Sequence, residues 1–166
     1  MKCFFVFLLL GCFLLNSCHK EEDDSVEEIG ITKVFYEDFF DKDDINIVSD
    51  SLYFINSEEQ LKQITNDIPS VYTKIGKTDF SKNTIIITAA LQDYNIFKYE
   101  VKLFINDLSK TCNLIFDYVL DDPSYLEKTY FRVWVCIVPK MSYEPHKSYV
   151  HNNISVNPNP YKDKRN

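Results

Sequence analysis

The sequence predicts an α+β domain, with one main helix packed on an antiparallel β-meander of about five strands. Three observations carry that expectation. Leu61, Ile64 and Ile68 recur at helical spacing behind a polar, acid-led start at Ser57-Glu58-Glu59. Ile85 to Leu91 is a near-continuous apolar run, the pattern of a strand covered on both faces. Phe97 to Leu103 and Cys112 to Leu120 alternate apolar with polar residues, as strands with one wet face do.

Taken in order, the chain divides at 1–17, 18–32, 33–156 and 157–166: an apolar leader, a charged tether, one globular domain and a polar tail. Met1-Lys2 is followed by thirteen uncharged residues, Cys3 to Leu15. That is too short to cross a bilayer, which takes about 20 apolar residues, and it suits the apolar core of a secretory signal. Asp23 to Thr32 is charged and without period, hence linker. Lys33 to Phe40 sets Val34, Phe35, Tyr36, Phe39 and Phe40 among acids, and reads either as a short first strand or as an exposed aromatic-acidic patch. Leu52 to Ile55 is a brief strand. Asn56 or Ser57 caps a helix from Glu58 to Asn66, which Pro69 ends. Val71 to Lys82 reads as a connection. Strands follow at Ile85–Leu91, Phe97–Leu103, Cys112–Leu120, Tyr130–Val138 and Tyr149–Val156, with turns at Asn106–Lys110 and Asp121–Ser124.

The net charge of −7 is not spread evenly. Residues 20–44 hold eleven of the 25 acids, whereas Ile45 to Asn166 balances 14 acids with 14 Lys and Arg. A neutral body lacks the basic footprint that phosphate recognition needs, so no nucleic-acid partner is expected. Gly11, Gly30 and Gly76 are the only glycines, too far apart for a phosphate-cradling loop.

Candidates for chemistry are few. Asp41-Lys42-Asp43-Asp44 fails as a calcium loop, because Ile45, Asn46 and Leu52 stand where an oxygen ligand, a glycine and a glutamate are required. His146 and His151 lack metal-ligand spacing, so neither a metal nor a cofactor is expected. Asp121-Asp122 beside Pro123 is turn chemistry rather than a glycosidase pair. Cys112 and Cys136 are candidates for a disulfide whose formation depends on register. If Phe131, Val133, Val135 and Ile137 face the core, Cys136 points away from Cys112. If Trp134 faces inward, the two can meet. Tyr130 and Trp134 are the candidate binding patch, and Asp93, Asp117 and Glu144 are the carboxylates a hydrolase would use.

The stretch Leu15-Asn16-Ser17-Cys18 resembles a bacterial lipoprotein box, although Asn16 departs from the small or β-branched residue usual there. The resemblance implies lipidation of Cys18 and an anchor in the lipid bilayer, two or more acyl chains being needed for stable tethering. The alternative is an ordinary cleaved signal with an incidental cysteine. Lys20-Glu21-Glu22 is similar to the surface-export signal of Bacteroidetes lipoproteins, which implies outer-membrane display, with the periplasmic face as the alternative. Asp24-Ser25-Val26 and Asp50-Ser51-Leu52 resemble Bacteroidetes O-glycosylation sites, which makes Ser25 and Ser51 candidate acceptors.

Asn56-Ser57-Glu58-Glu59, Asp79-Phe80-Ser81-Lys82 and Val135-Cys136-Ile137-Val138-Pro139-Lys140 together resemble the protease-complex-subunit (PrcB-like) domain family. The glycine-rich segment such domains often carry after the apolar strand is absent between Gln92 and Phe97. The likeness implies association with another exported protein rather than catalysis. The expected function is therefore a non-enzymatic binding or accessory module for a protein or a glycan. A carboxylate-dependent hydrolase and a structural envelope protein are the alternatives.

Overall fold

The computed structural model describes residues 26–39, 47–66, 68–92, 96–120 and 130–156, apart from the side chains of Phe97 and Tyr130. Among these residues, eight strands and two helices follow in chain order: β1 (Val26–Ile29), β2 (Lys33–Phe39), β3 (Tyr53–Ile55), α1 (Glu58–Thr65), α2 (Pro69–Ile75), β4 (Asn83–Gln92), β5 (Ile96–Asn106), β6 (Thr111–Leu120), β7 (Tyr130–Pro139) and β8 (Lys147–Val156). They form two four-stranded sheets, β1-β5-β6-β8 and β2-β7-β4-β3. The expected single helix on a five-stranded meander is thus corrected: the fold is mostly β, two sheets and two short helices.

The composition of the strands explains the layering. β4 and β7 are apolar at both odd and even positions, so their sheet has to be covered twice. On one face, Ile85, Ile87, Ala89, Phe131, Val133, Val135 and Ile137 pack with Leu61, Ile68, Val71 and Ile75 of the helical segment. On the other, Ile86, Trp134, Cys136 and Val138 pack against Leu103, Cys112, Leu114, Phe116 and Tyr118 of the second sheet. The two registers left open for β7 are both satisfied, since each of its faces meets a core.

The order of layers is helices, inner sheet, outer sheet. β5 and β6 form a hairpin, but β8 joins β6 in parallel, so the chain leaves the outer sheet for β7 and returns. Such long-range pairings leave no local mark in a sequence.

Local chemistry sets the helices. Ser57 accepts a hydrogen bond from the Gln60 amide at 3.2 Å, and Gln60 Oε1 accepts one from the Asn56 amide at 2.7 Å, so two amides at the helix start find side-chain partners. Pro69 opens α2 rather than simply closing α1, its fixed φ suiting a first helical position. The segment after Val71, expected as a connection, is therefore helical as far as Ile75. Gly76 ends it at φ +67°, a conformation that a side chain resists.

At the N-terminus the tether boundary moves, while the strand reading of the aromatic-acidic stretch holds. Val26–Ile29, expected as tether, pairs antiparallel with residues Leu103 to Asn106 of β5, so the folded body begins before residue 33. Lys33–Phe39 is a strand paired along β7, with Phe35 and Phe39 packed toward the helices and Val34 and Tyr36 toward the outer sheet.

Candidate functional site

Among the described residues, the outer sheet is covered on one side only. Odd positions of β6 and β8 and even positions of β5 from Lys98 onward point away from the inner sheet, which follows from the burial of Leu103, Cys112, Leu114, Phe116 and Tyr118 on the other face. Register then places three rows across the open face: Phe104, Asn113 and Tyr149; Lys102, Ile115 and His151; Glu100, Asp117 and Asn153.

Polar contacts knit these rows together. Asn153 Nδ2 donates to Asp117 Oδ1 at 2.8 Å, Lys102 Nζ donates to Asp117 Oδ2 at 3.4 Å, and Lys102 lies 3.5 Å from Glu100. The Asn153 hydrogen bond, with Lys102 assisting, holds the Asp117 carboxyl below its ordinary value. The Asp117 hydrogen bond and then the Glu100 charge raise Lys102. His151 Nε2 lies 3.2 Å from Asn113 Oδ1, and the Tyr149 and His151 rings sit 6.4 Å apart at 31°. Tyr149 is 47% exposed. The face thus offers an aromatic ring, an imidazole, two amides and a paired carboxylate and ammonium on a rigid support. That set can donate and accept hydrogen bonds and stack on a ligand, with little net charge.

A second polar group lies inside the sandwich. Arg132 is buried on β7, paired with Asp38 of β2 and seated over the Tyr36 ring at 4.1 Å. Among the described residues, Thr88 Oγ1, Gln92 Oε1, Arg132 Nη1 and Trp134 Nε1 are buried without a hydrogen-bond partner.

Clefts lie elsewhere. One of about 360 Å³ is lined by Glu27, Glu28, Asp107, Lys140 and Tyr143. Burial, then the Asp107 carboxylate, pushes the Tyr143 phenol up to about 12. Another, of about 630 Å³, runs beside Glu58, Tyr72 and Phe80.

The residues singled out in the sequence fare differently. Cys18, Lys20, Glu21, Glu22, Ser25, Asp93 and Asp121-Asp122 lie outside the described residues, as does the side chain of Tyr130. Ser51 is half-buried beside Asp50, whose φ is +59°. Trp134 is not a surface patch: it is 1% exposed, with Tyr36, Tyr99 and Phe116 each 4.9 Å away between ring centroids. Cys112 and Cys136 are free buried thiols on strands of different sheets, rather than neighbours in one sheet. Asp117 belongs to the open face, whereas Glu144 lines a separate cleft with Leu52, Gln60 and Ile64, so these two carboxylates are not brought together.

Sequence reasoning missed Tyr149, Asn113 and Asn153 as a group. Their alternation was legible, but the parallel pairing that sets them side by side was not. Among the described residues, no three His, Cys, Asp or Glu side chains are grouped to hold a metal ion, and no helix is long and apolar enough to cross a membrane. Compared with protein-family models, curated proteins and solved structures, the chain matches none.

Proposed function

We propose that the protein is a lipid-anchored bacterial lipoprotein, displayed on the outer membrane, that acts as a non-enzymatic binding module for another exported protein or a surface glycan. The observation that carries the binding role is the asymmetry of the sandwich. One sheet is buried on both faces, while among the described residues the other keeps one face open, with Tyr149, His151, Asn113 and Asn153 on it. Rigid strands hold these groups in place, which limits the ordering cost of a contact.

The anchoring half rests on the Leu15-Asn16-Ser17-Cys18 junction and the Lys20-Glu21-Glu22 run behind it. The PrcB-like likeness of the Asn56–Glu59 and Val135–Lys140 segments points to association in the same way.

Two measurements test the reading separately. Labelled palmitate is expected to enter the parent chain and not Cys18→Ser, and equal labelling would end the anchoring half. A photo-crosslinking residue at Tyr149 or Asn113, in intact cells, is expected to capture a defined protein or glycan that one at the exposed Lys62 of α1 does not. Identical adducts from all three positions would remove the open face as the site.

A further inference from the structure

We propose that the free edge of β8 pairs with β8 of a second copy of this chain, antiparallel and centred on Asn152, so that two sandwiches share one continuous sheet.

The four edge strands are not alike. A free edge offers unpaired amides and carbonyls to any passing strand, and folded proteins blunt it by shortness, charge, proline, bulges or a covering element. β1 has four residues and carries Glu27 and Glu28. β3 has three residues. β2 bears Lys33, Glu37 and Asp38, and α2 braces it: Lys33 Nζ donates to the Lys74 carbonyl at 2.8 Å, and Lys74 pairs with Glu37. Among the described residues, β8 has none of these devices. It runs ten residues in unbroken register with β6, contains no proline, and its one formal charge, Lys147, stands at its end.

The side chains of β8 say what covers it. Even-numbered residues point to the inner side of the outer sheet, because Val150 registers with Leu114 and joins the core between the sheets. Ile154 and Val156 point the same way, yet are 53% and 49% exposed. Among the described residues, the apolar layer therefore continues past the inner sheet without a cover.

A two-fold axis normal to the sheet keeps its faces, so residues that face each other across such an edge share parity, and the axis passes through one residue. Centred on Asn152, Val150 meets the partner's Ile154 on the apolar side, while His151 meets Asn153 and Tyr149 meets Ser155 on the polar side. No two charges oppose each other. Centring on His151 would set Val150 against Asn152 and leave Ile154 against Ser148.

The interface is small beside the roughly 1,200–2,000 Å² of standard complexes, so the dimer is weak in dilute solution. The pairing does not rest on the lipid-anchor reading, since attachment to one membrane only raises the concentration at which copies meet.

The test is symmetric disulfide trapping in the full-length chain, on intact cells. Facing residues at the axis have Cα atoms about 4.5–5.5 Å apart, within disulfide reach, whereas the two copies of Tyr149 are about 20 Å apart in this register. Mild oxidation is expected to give at least tenfold more covalent dimer from Asn152→Cys than from Tyr149→Cys. Equal yields would overturn the register and the pairing. In sedimentation across a concentration series, the purified parent is expected to dimerise and Ile154→Lys to remain monomeric with an unchanged circular dichroism spectrum. A parent that stays monomeric at every concentration, or a well-folded Ile154→Lys that still dimerises, would overturn the proposal. Cys18→Ser is expected to sediment as the parent does, which separates this result from the fate of the anchor.

Discussion

Arg132 grips Asp38 through two nitrogens, Nε at 2.5 Å and Nη2 at 2.6 Å, across the β2–β7 pair that sets the residues directly opposite each other. The Arg132 side chain is 5% exposed and that of Asp38 30%, so the pair sits at the margin of the core. Removing the carboxylate leaves a buried guanidinium uncompensated. Asp38→Ala is expected to cost about 3 kcal/mol in urea unfolding, while the double variant Asp38→Leu/Arg132→Met costs clearly less. Equal losses would mean that the pair is not coupled.

Trp134 is the only tryptophan in the chain, and it lies at the centre of the aromatic cluster between the sheets. Its emission is expected to be blue-shifted in the native protein and to move red in a single transition on unfolding. Trp134→Ala is expected to cost about 3–5 kcal/mol, because the neighbouring rings cannot collapse into the space. Native emission at the wavelength of exposed indole would contradict the burial.

Burial pushes the Cys112 and Cys136 thiols up to about 12, from an ordinary 9.0. As pH rises past 9.0, the unfolded chain sheds protons that the folded chain keeps, so stability falls until the folded values are reached. The double variant Cys112→Ala/Cys136→Ala is expected to show a shallower alkaline fall in its urea midpoint, whatever its stability at neutral pH. Iodoacetamide is expected to modify neither thiol in the folded protein and both after denaturation.

On the open face, Asp117 titrates below the ordinary 3.8 because Asn153 and Lys102 favour its charged form. The contribution is present above that ordinary value and is lost as pH falls through the lower folded one. Lys102 mirrors it, its contribution being lost as pH rises through a value above 10.5. Asn153→Ala is expected to move the Asp117 carboxyl upward in an NMR titration, with a smaller upward move for Lys102→Met. A titration that neither substitution displaces would remove the hydrogen-bonded strip from solution.

Most individual elements are legible in the sequence. Ser57 and Leu61 announce α1, the run from Ile85 to Leu91 announces a strand covered twice, and the alternation from Cys112 to Leu120 gives its inward face correctly. α2 also leaves a signal, since Pro69 followed by Val71, Tyr72 and Ile75 is a helix start with an apolar stripe. The arrangement is hidden for a physical reason. Whether Trp134 or Val135 faces a core is undecidable when both do, and the partner of β6 depends on β8 returning from the other sheet. The candidate site inherits the same difficulty. Tyr149 and Asn113 are ordinary residues until register makes them neighbours, whereas Trp134 reads as a surface anchor only while the second sheet is out of view.

Among the described residues, β7 is the sole strand partner of β2 and lies between it and β4, although β2 opens near residue 33 and β7 begins at Tyr130. A polypeptide truncated or stalled before Tyr130 therefore has every strand of the inner layer except the one able to join its halves. Synthesis must pass Pro139 before that layer can close, and nascent fragments are expected to stay protease-sensitive until β7 is supplied.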